Sequence, residues 1–237
     1  GLHVMPIAEA GYVVVRPGGF MAASDRFTIT IHGRMTHGSA PHDGIDAVYV
    51  ASQVVTALQA IASREVDARK SLVVSVGTLN AGSRYNIIAD KAVLTGTVRT
   101  LDPETWAEIP KRFERIVAGI CEANRATYEL NYERTAPVVD NDEGLTGFAQ
   151  ASFTRSLGAE HVLVVDPIMA AEDFAYFQQQ IPGVYFFLGV ANFAEGWTDY
   201  VHTPTFRPDE KAIVAGVKAA ASLLTDFTSR DPMGAED

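Results

Sequence analysis

The sequence predicts an α/β protein in which a β-α-β-β-α-β unit interrupts an alternating layer of strands and helices. Three observations carry this. Between Asp25 and Arg134, strand-period alternation and helix-period stripes follow one another in that order. After Arg134 the two periods alternate singly, as in an α/β layer. Before Asp25 stands one short apolar run, residues 12–15, that can join the layer. The interrupting unit is the ferredoxin-like split arrangement, one sheet with two helices on one face and the other face or an edge free. The changes of pattern divide the chain at 1–24, 25–134 and 135–237, the middle piece inserted into a layer that the outer two form.

Each element has its own signal. The run 12–15 ends at Arg16-Pro17-Gly18-Gly19, where Pro and Gly punctuate the chain. Phe27, Ile29 and Ile31 alternate with Thr28, Thr30 and His32, a half-buried strand. A helix over 44–64 would place Ile45, Val48, Val55, Leu58 and Ile61 on one face. Residues 72–79 form a valine-rich strand, 80–86 a Gly/Ser/Asn loop and 92–100 the next strand. Asp102-Pro103 reads as an N-cap followed by the first helical residue. Trp106, Ile109, Phe113, Ile116, Val117 and Ile120 continue that helix, in which Pro110 predicts a kink or a broken first turn. Tyr128, Leu130 and Tyr132 alternate with polar residues as the last strand of the unit. Helix 144–157, strand 162–165, helix 172–180, strand 184–190 and helix 209–227 then follow. The polar tail 229–237, with Pro232 and Gly234, is expected to fray.

Composition excludes several classes. The 237 residues are 47% hydrophobic and 20% charged, which is globular rather than disordered. No apolar run approaches the roughly 18 residues of a membrane span. A net charge of −10 without a Lys/Arg cluster argues against nucleic acid. Cys121 is the one cysteine, so no intramolecular disulfide forms; beside Val117 and Ile120 on a helical stripe it reads as core. A cytoplasmic location is the default expectation. Gly1-Leu2-His3-Val4 is neither a signal peptide nor an ordinary start, so the chain is expected to be part of a longer or processed polypeptide.

The candidate chemical groups are few. His3, expected in a turn before Pro6, and His202, in Val201-His202-Thr203-Pro204, are placed as isolated loop ligands and not as a helical pair. Two histidines alone do not complete a zinc site. Thr36-His37-Gly38-Ser39-Ala40-Pro41-His42 is a denser loop between a strand and a helix, the kind of segment where functional groups concentrate. Asn86 suits a turn by itself. Arg99 shares a strand face with Val93, Thr95 and Thr97, where it is either solvated or grips a carboxylate. Glu172-Asp173 opens a helix, where acidic residues favour the dipole. His32 and His161 read as structural or surface residues. A glycine-rich phosphate loop, a G-x-S-x-G elbow and a cysteine cluster are all missing from the sequence.

Taken in order, Gly1-Leu2-His3-Val4, Asp25-Arg26-Phe27, Thr36–His37 with its loop to His42, Tyr85-Asn86-Ile87-Ile88, Gly96-Thr97-Val98-Arg99-Thr100, Ala171-Glu172-Asp173-Phe174 and His202-Thr203-Pro204 resemble the metal-dependent aminoacylase/carboxypeptidase superfamily. The branch they resemble holds hippurate hydrolase, N-acyl-amino-acid hydrolases and indole-acetyl-amino-acid hydrolases. The resemblance implies a metallopeptidase-like catalytic α/β domain, made here by 1–24 and 135–237, with 25–134 as an inserted lid and dimerisation domain. It implies two divalent metal ions (Zn, Mn or Ni), a small N-acyl amino acid substrate and a homodimer formed through the lid. His3 and His202 match metal ligands; Thr203 replaces the family's usual serine. His37 matches a lid histidine that reaches the neighbouring subunit's site and stabilises the developing oxyanion. Asn86 matches a substrate-contacting asparagine, although Ala89 stands where proline is common. Arg99 is similar to an arginine that binds the substrate carboxylate, and Glu172 matches a motif near the site. The family's Cys-Gly-His-Asp and Glu-Glu segments, which include the general base, precede Gly-Leu-His. The chain is therefore expected to lack the N-terminal metal-binding half. Two competing expectations are a non-catalytic dimerisation or substrate-binding fragment (a pseudoenzyme), and a carboxylate-binding module built on Arg99.

Overall fold

In chain order the structure, a computed structural model that describes residues 1–229, begins with strands β1 (Leu2–Glu9), β2 (Val13–Val14), β3 (Gly18–Met21) and β4 (Ala23–His32). The short β5 (Thr36–His37) leads to helix α1 (Ala47–Ala60), then β6 (Leu72–Ala81), β7 (Ile87–Ile88) and β8 (Lys91–Thr100). Helix α2 (Pro103–Ala123) precedes β9 (Thr127–Ala136) and β10 (Val139–Asn141). Thereafter α3 (Glu143–Leu157), β11 (Val162–Leu163), α4 (Phe174–Gln178), β12 (Phe186–Ala191) and α5 (Lys211–Thr228) alternate. Most of the tail expected to fray, residues 230–237, lies outside the described residues. Contacts divide the chain into two units. One comprises 21–138 and 168–173; the other comprises 1–20, 139–167 and residues from 174 onward.

The first of these units holds the split β-α-β-β-α-β arrangement. Its sheet has the order β6-β8-β4-β9 and is antiparallel throughout. Alternation decides which face is dry. Phe27, Ile29 and Ile31 are fully buried with Leu94, Val98, Leu58 and Phe113, whereas Thr28 and Thr30 point to the opposite, polar face. Gly96 of β8 pairs with Phe27 of β4 and Val76 of β6. A Cβ there would sit 2.1 Å from the Ser75 carbonyl oxygen and 2.2 Å from Phe27 Cζ. Gly96→Ala is expected to destabilise this unit by about 1–3 kcal/mol through overpacking. A urea midpoint unchanged from the parent would contradict that.

Two helices differ in detail from expectation. Helix α1 begins at Ala47, capped by Asp46, which accepts from the Val48 and Tyr49 N–H groups. Pro41–Asp43 forms a separate 3-10 turn before it. The face pressed on the sheet is Ala47, Val50, Ala51, Val54, Leu58 and Ile61; Val48 is exposed, contrary to the stripe read from the sequence. Packing on the sheet sets the helix phase, and small alanines permit the close approach. Helix α2 runs 21 residues through Pro110 without interruption. Pro110 has no N–H to offer the Trp106 carbonyl. Arg134 supplies the missing donor from β9: its Nη2 donates to Trp106 O at 3.1 Å and to Ala107 O at 3.0 Å. The same guanidinium lies 4.2 Å from the Trp106 ring centroid. Trp106 Nε1 in turn donates to Asp25 Oδ1 at 2.9 Å, and Tyr132 Oη donates to Asp25 Oδ2 at 2.7 Å. Asp25 is 1% exposed, so a buried carboxyl ties β4 to α2 and β9.

The second unit is built on a sheet of order β1-β12-β2-β11. Strands β1 and β12 are parallel, β12 and β2 antiparallel, and β2 and β11 parallel. All six residues of β12 are buried, which explains why its sequence is a continuous apolar run and not an alternation. Phe153 from α3 and Ala212, Ala215 and Ala219 from α5 complete this core with Phe186 and Leu188. The run at 12–15 does join the layer. Residues 2–9, expected to turn at Pro6, instead form a strand. Leu2–Met5 pair with Phe186–Gly189, and the register shifts between Met5 and Glu9. That irregularity accommodates Pro6, which has no N–H for a ladder. Among the described residues, no helix is long and apolar enough to cross a membrane.

Candidate functional site

Strand β1 and the segment after β12 carry two of the histidines of the layer unit, His3 and His202. His3 pairs with Phe187 in the ladder, so it sits on a strand and not in the expected loop. Its Nδ1 lies 2.6 Å from the Val4 carbonyl oxygen. A carbonyl only accepts, so Nδ1 holds the proton and the Nε2 lone pair is free. That is the state in which an imidazole ligates a metal, with its other nitrogen fixed by a backbone acceptor. His202 lies in an irregular stretch that is tied at its neck. Asn192 bonds reciprocally with Trp197, and its Nδ2 donates to Asp209 Oδ2 at 2.7 Å. Asp209 Oδ1 accepts from the Lys211 N–H at the start of α5, and this bond leads in holding the Asp209 carboxyl below its usual range. Arg207 closes over the Trp197 ring at 3.7 Å. His202 has a φ of +64°, in the left-handed region. For a residue with a side chain that conformation costs roughly 1–2 kcal/mol. It persists where surrounding structure over-determines it, commonly at functional sites. The His3 and His202 rings stand edge to face, 6.2 Å between centroids.

The split β-α-β-β-α-β unit brings a second pair together. Thr36 and His37 pair with Ile88 and Ile87, and the Gly38 N–H donates to the Asn86 carbonyl at 2.8 Å. A Cβ on Gly38 would lie 3.0 Å from that oxygen, so the approach of the two loops favours glycine. His37 and Asn86 are thereby neighbours, although far apart in sequence. The Ala40 N–H bonds to the His37 carbonyl at 2.9 Å and closes a turn. Within it, His37 Nδ1 receives the Ser39 backbone N–H at 3.2 Å and stands 2.7 Å from Ser39 Oγ. A backbone N–H only donates, so Nδ1 is the acceptor and a neutral His37 carries its proton on Nε2. His37 therefore offers a donor where His3 offers a lone pair.

Arg99 is not part of that pair. It lies near the far end of β8, opposite Ser24 and Val73. The loops of His37 and Asn86 adjoin the other end, where Gly33 N–H bonds to Asp90 O at 2.7 Å. Eight strand steps separate Lys91 from Arg99, about 27 Å. Arg99 is half-buried on the polar face, and its guanidinium hydrogen-bonds no described residue. Its five donors suit a planar carboxylate. Glu172 and Asp173 precede α4 rather than opening a long helix. The Asp173 N–H bonds to Glu172 Oε1 at 3.0 Å, and the hydrogen bond and charge of Glu172 push the Asp173 carboxyl pKa up. Cys121 is buried in the core, as its stripe position implied.

The donors suit a divalent metal in kind: neutral imidazoles suit zinc and nickel, and carboxylates added to them would admit manganese. His3 and His202 form a pair, and among the described residues no group of three or more His, Cys, Asp or Glu converges. These two residues would hold a metal as part of a larger ligand set.

Residues 23–125 match the peptidase dimerisation domain of the M20 type. Over 96% of its length the chain superposes, with a TM-score of 0.78 and 29% identity, on the Bacillus subtilis YXEP protein, described as a dinuclear metal binding peptidase from the M20 family. The chain carries an M20-type peptidase dimerisation domain and is similar to M20 proteins over nearly its whole length. It is also 37% identical over 216 residues to N-acetyl-L-cysteine deacetylase of Bacillus subtilis, covering 90% of this chain and 50% of that protein. It is 33% identical over 231 residues to the IAA-amino acid hydrolase ILR1-like 5 of Arabidopsis thaliana, covering 96% of this chain and 53% of that protein. The chain thus spans about half the length of these curated relatives, and 56% of the YXEP chain. The matched dimerisation domain falls inside the unit that contains the β-α-β-β-α-β sheet. Sequence patterns did not reveal the Ser39 contact with His37 or the Asp25 network. Ser39 stood inside the flagged loop, and two residues of spacing was its only signal.

Proposed function

We propose that this chain contributes to a dinuclear metal-dependent amidohydrolase that cleaves N-acyl amino acids, with 25–134 as its lid and 1–24 and 135–237 as part of its catalytic layer. The observation that carries the reading is His3 held beside His202 with its Nδ1 proton committed to a carbonyl and its Nε2 free. Bound divalent ions would supply Lewis acidity and an activated water at neutral pH. The remaining ligands and the general base would come from a segment of the protein outside these residues.

The chain's own residues would divide the remaining work. The Nε2–H of His37 would donate to the scissile carbonyl oxygen as negative charge develops on it. The Asn86 side chain, which bonds to no described residue, would contact the substrate's polar groups. Arg99 would hold the carboxylate of the amino-acid half through its bidentate fork. About 27 Å of strand separates Arg99 from the His37 loop, too far for one small substrate to touch both within one lid. A homodimer resolves this, with His37 and Asn86 serving the partner's site. The dimerisation domain supports that arrangement. The names of the deacetylase and of the IAA-amino acid hydrolase support an N-acyl amino acid as substrate.

The test is hydrolysis of N-acetyl and longer N-acyl amino acids by the metal-loaded protein and its His37→Ala variant. Loss of one oxyanion donor is expected to lower kcat about 10²–10³-fold with a smaller change in KM. His37→Gln, which keeps an N–H near the same place, should retain part of the rate. A His37→Ala enzyme with the parent's kcat would remove His37 from the reaction.

A further inference from the structure

The loop around His37 holds a second residue with a definable task. His37, Gly38, Ser39 and Ala40 form one turn, closed by the Ala40 N–H on the His37 carbonyl. Both hydrogen-bonding groups of Ser39 meet the same ring nitrogen: its backbone N–H at 3.2 Å and its Oγ at 2.7 Å from His37 Nδ1. The two groups act differently. The backbone N–H cannot accept, so it faces Nδ1 favourably only when that nitrogen is unprotonated. With that orientation set, the hydroxyl can donate into the same lone pair, and it is the shorter contact.

We propose that Ser39 is a positioning residue that holds His37 as the Nε2–H tautomer and fixes its ring plane, so that the lid presents a proton donor to an oxygen of the substrate. A hydroxyl donating to Nδ1 also draws electron density from the ring and strengthens donation from Nε2, the cooperative effect of chained hydrogen bonds. The consequence for turnover rests on the amidohydrolase reading above; the tautomer itself does not. No other side chain need take part, since the nearest histidine in the loop, His42, is engaged with Asp43 at 3.6 Å.

The tautomer is read from the ¹⁵N resonances of the ring nitrogens in long-range ¹H–¹⁵N correlation spectra of the protein, with His37 assigned by its disappearance in His37→Gln. The parent protein is expected to show an unprotonated Nδ1 and a protonated Nε2. Ser39→Ala, which keeps the backbone N–H and loses the hydroxyl, should move the tautomer ratio about fivefold towards Nδ1–H, the weight of one net hydrogen bond. Ser39→Thr should restore it, and the His42 and His32 resonances should stay in place in every variant. In turnover, Ser39→Ala should lower kcat with KM unchanged. A His37 that is Nδ1-protonated in the parent, or a ratio that moves less than twofold in Ser39→Ala, would overturn the proposal. If the ratio moves as expected while His37→Ala leaves turnover unaffected, Ser39 does position His37, and the assignment of His37 to the reaction is what fails.

Discussion

His202→Ala is expected, on the proposed reading, to lose most bound metal and to lower the hydrolysis of N-acyl amino acids about 10³-fold or more, because several kcal/mol of transition-state stabilisation would depend on a metal centre. His3→Ala should behave alike, since the two rings stand together and the free Nε2 of His3 is the prepared donor. Metal content per chain and kcat/KM, measured on the same preparations, check both. Full metal occupancy in either variant would remove that histidine from the ligand set. A third substitution separates ligation from folding. His202 adopts a φ of +64°, which glycine takes at no steric cost. His202→Gly should therefore be as inactive as His202→Ala while the metal-free protein is up to about 1 kcal/mol more stable than the alanine variant. That combination is the signature of strain kept for function, and a purely structural His202 would not produce it.

The second large effect is on stability. Asp25→Ala is expected to destabilise the split unit by about 2–5 kcal/mol, because Trp106 Nε1–H and Tyr132 Oη–H both lose their buried acceptor. Urea unfolding followed by tryptophan fluorescence reads this directly, since Trp106 is one of the two reporters. Asp25 also sets a pH dependence. Burial raises its pKa; the bonds from Trp106 and Tyr132 and the charges of Arg134 and Arg99 oppose this without cancelling it. The folded-state value therefore exceeds the unfolded one, and the folded state binds the proton more tightly. The resulting stabilisation is complete below the unfolded pKa, near 3.9, and is lost as the pH rises through the folded value. Asp25→Asn should flatten that part of the profile. A profile of unfolding midpoint against pH that is identical in parent and Asp25→Asn would show that Asp25 does not titrate between the two states.

Much of the split unit was legible because its signals are local. The alternation of Phe27, Ile29 and Ile31 and the Asp102-Pro103 cap each need only neighbouring residues, and both hold in the structure. The errors arose where a distant residue decides the outcome. Pro110 breaks a helix unless another donor replaces its N–H, and Arg134 does so from a different strand. Pro6 predicts a turn unless a parallel partner holds the chain extended on either side of an irregularity, and β12 does so from far along the sequence. Val48 fits a helical stripe by spacing, yet the sheet accepts the face of Ala47, Val50 and Val54.

The sequence by itself determined the split unit and the net negative charge, since residue type and short-range period encode these, and its motif order, through a family resemblance, marked His3, His37, Asn86, Arg99 and His202 as candidates. Only the tertiary structure decided which of them meet. It placed His3 beside His202 and His37 beside Asn86, and it left Arg99 at the opposite end of its strand. It also decided which ring nitrogen carries the proton, through the Val4 carbonyl in one case and the Ser39 N–H in the other. A tautomer depends on hydrogen-bond geometry at a scale of tenths of an ångström, which no spacing of residue types along a chain specifies.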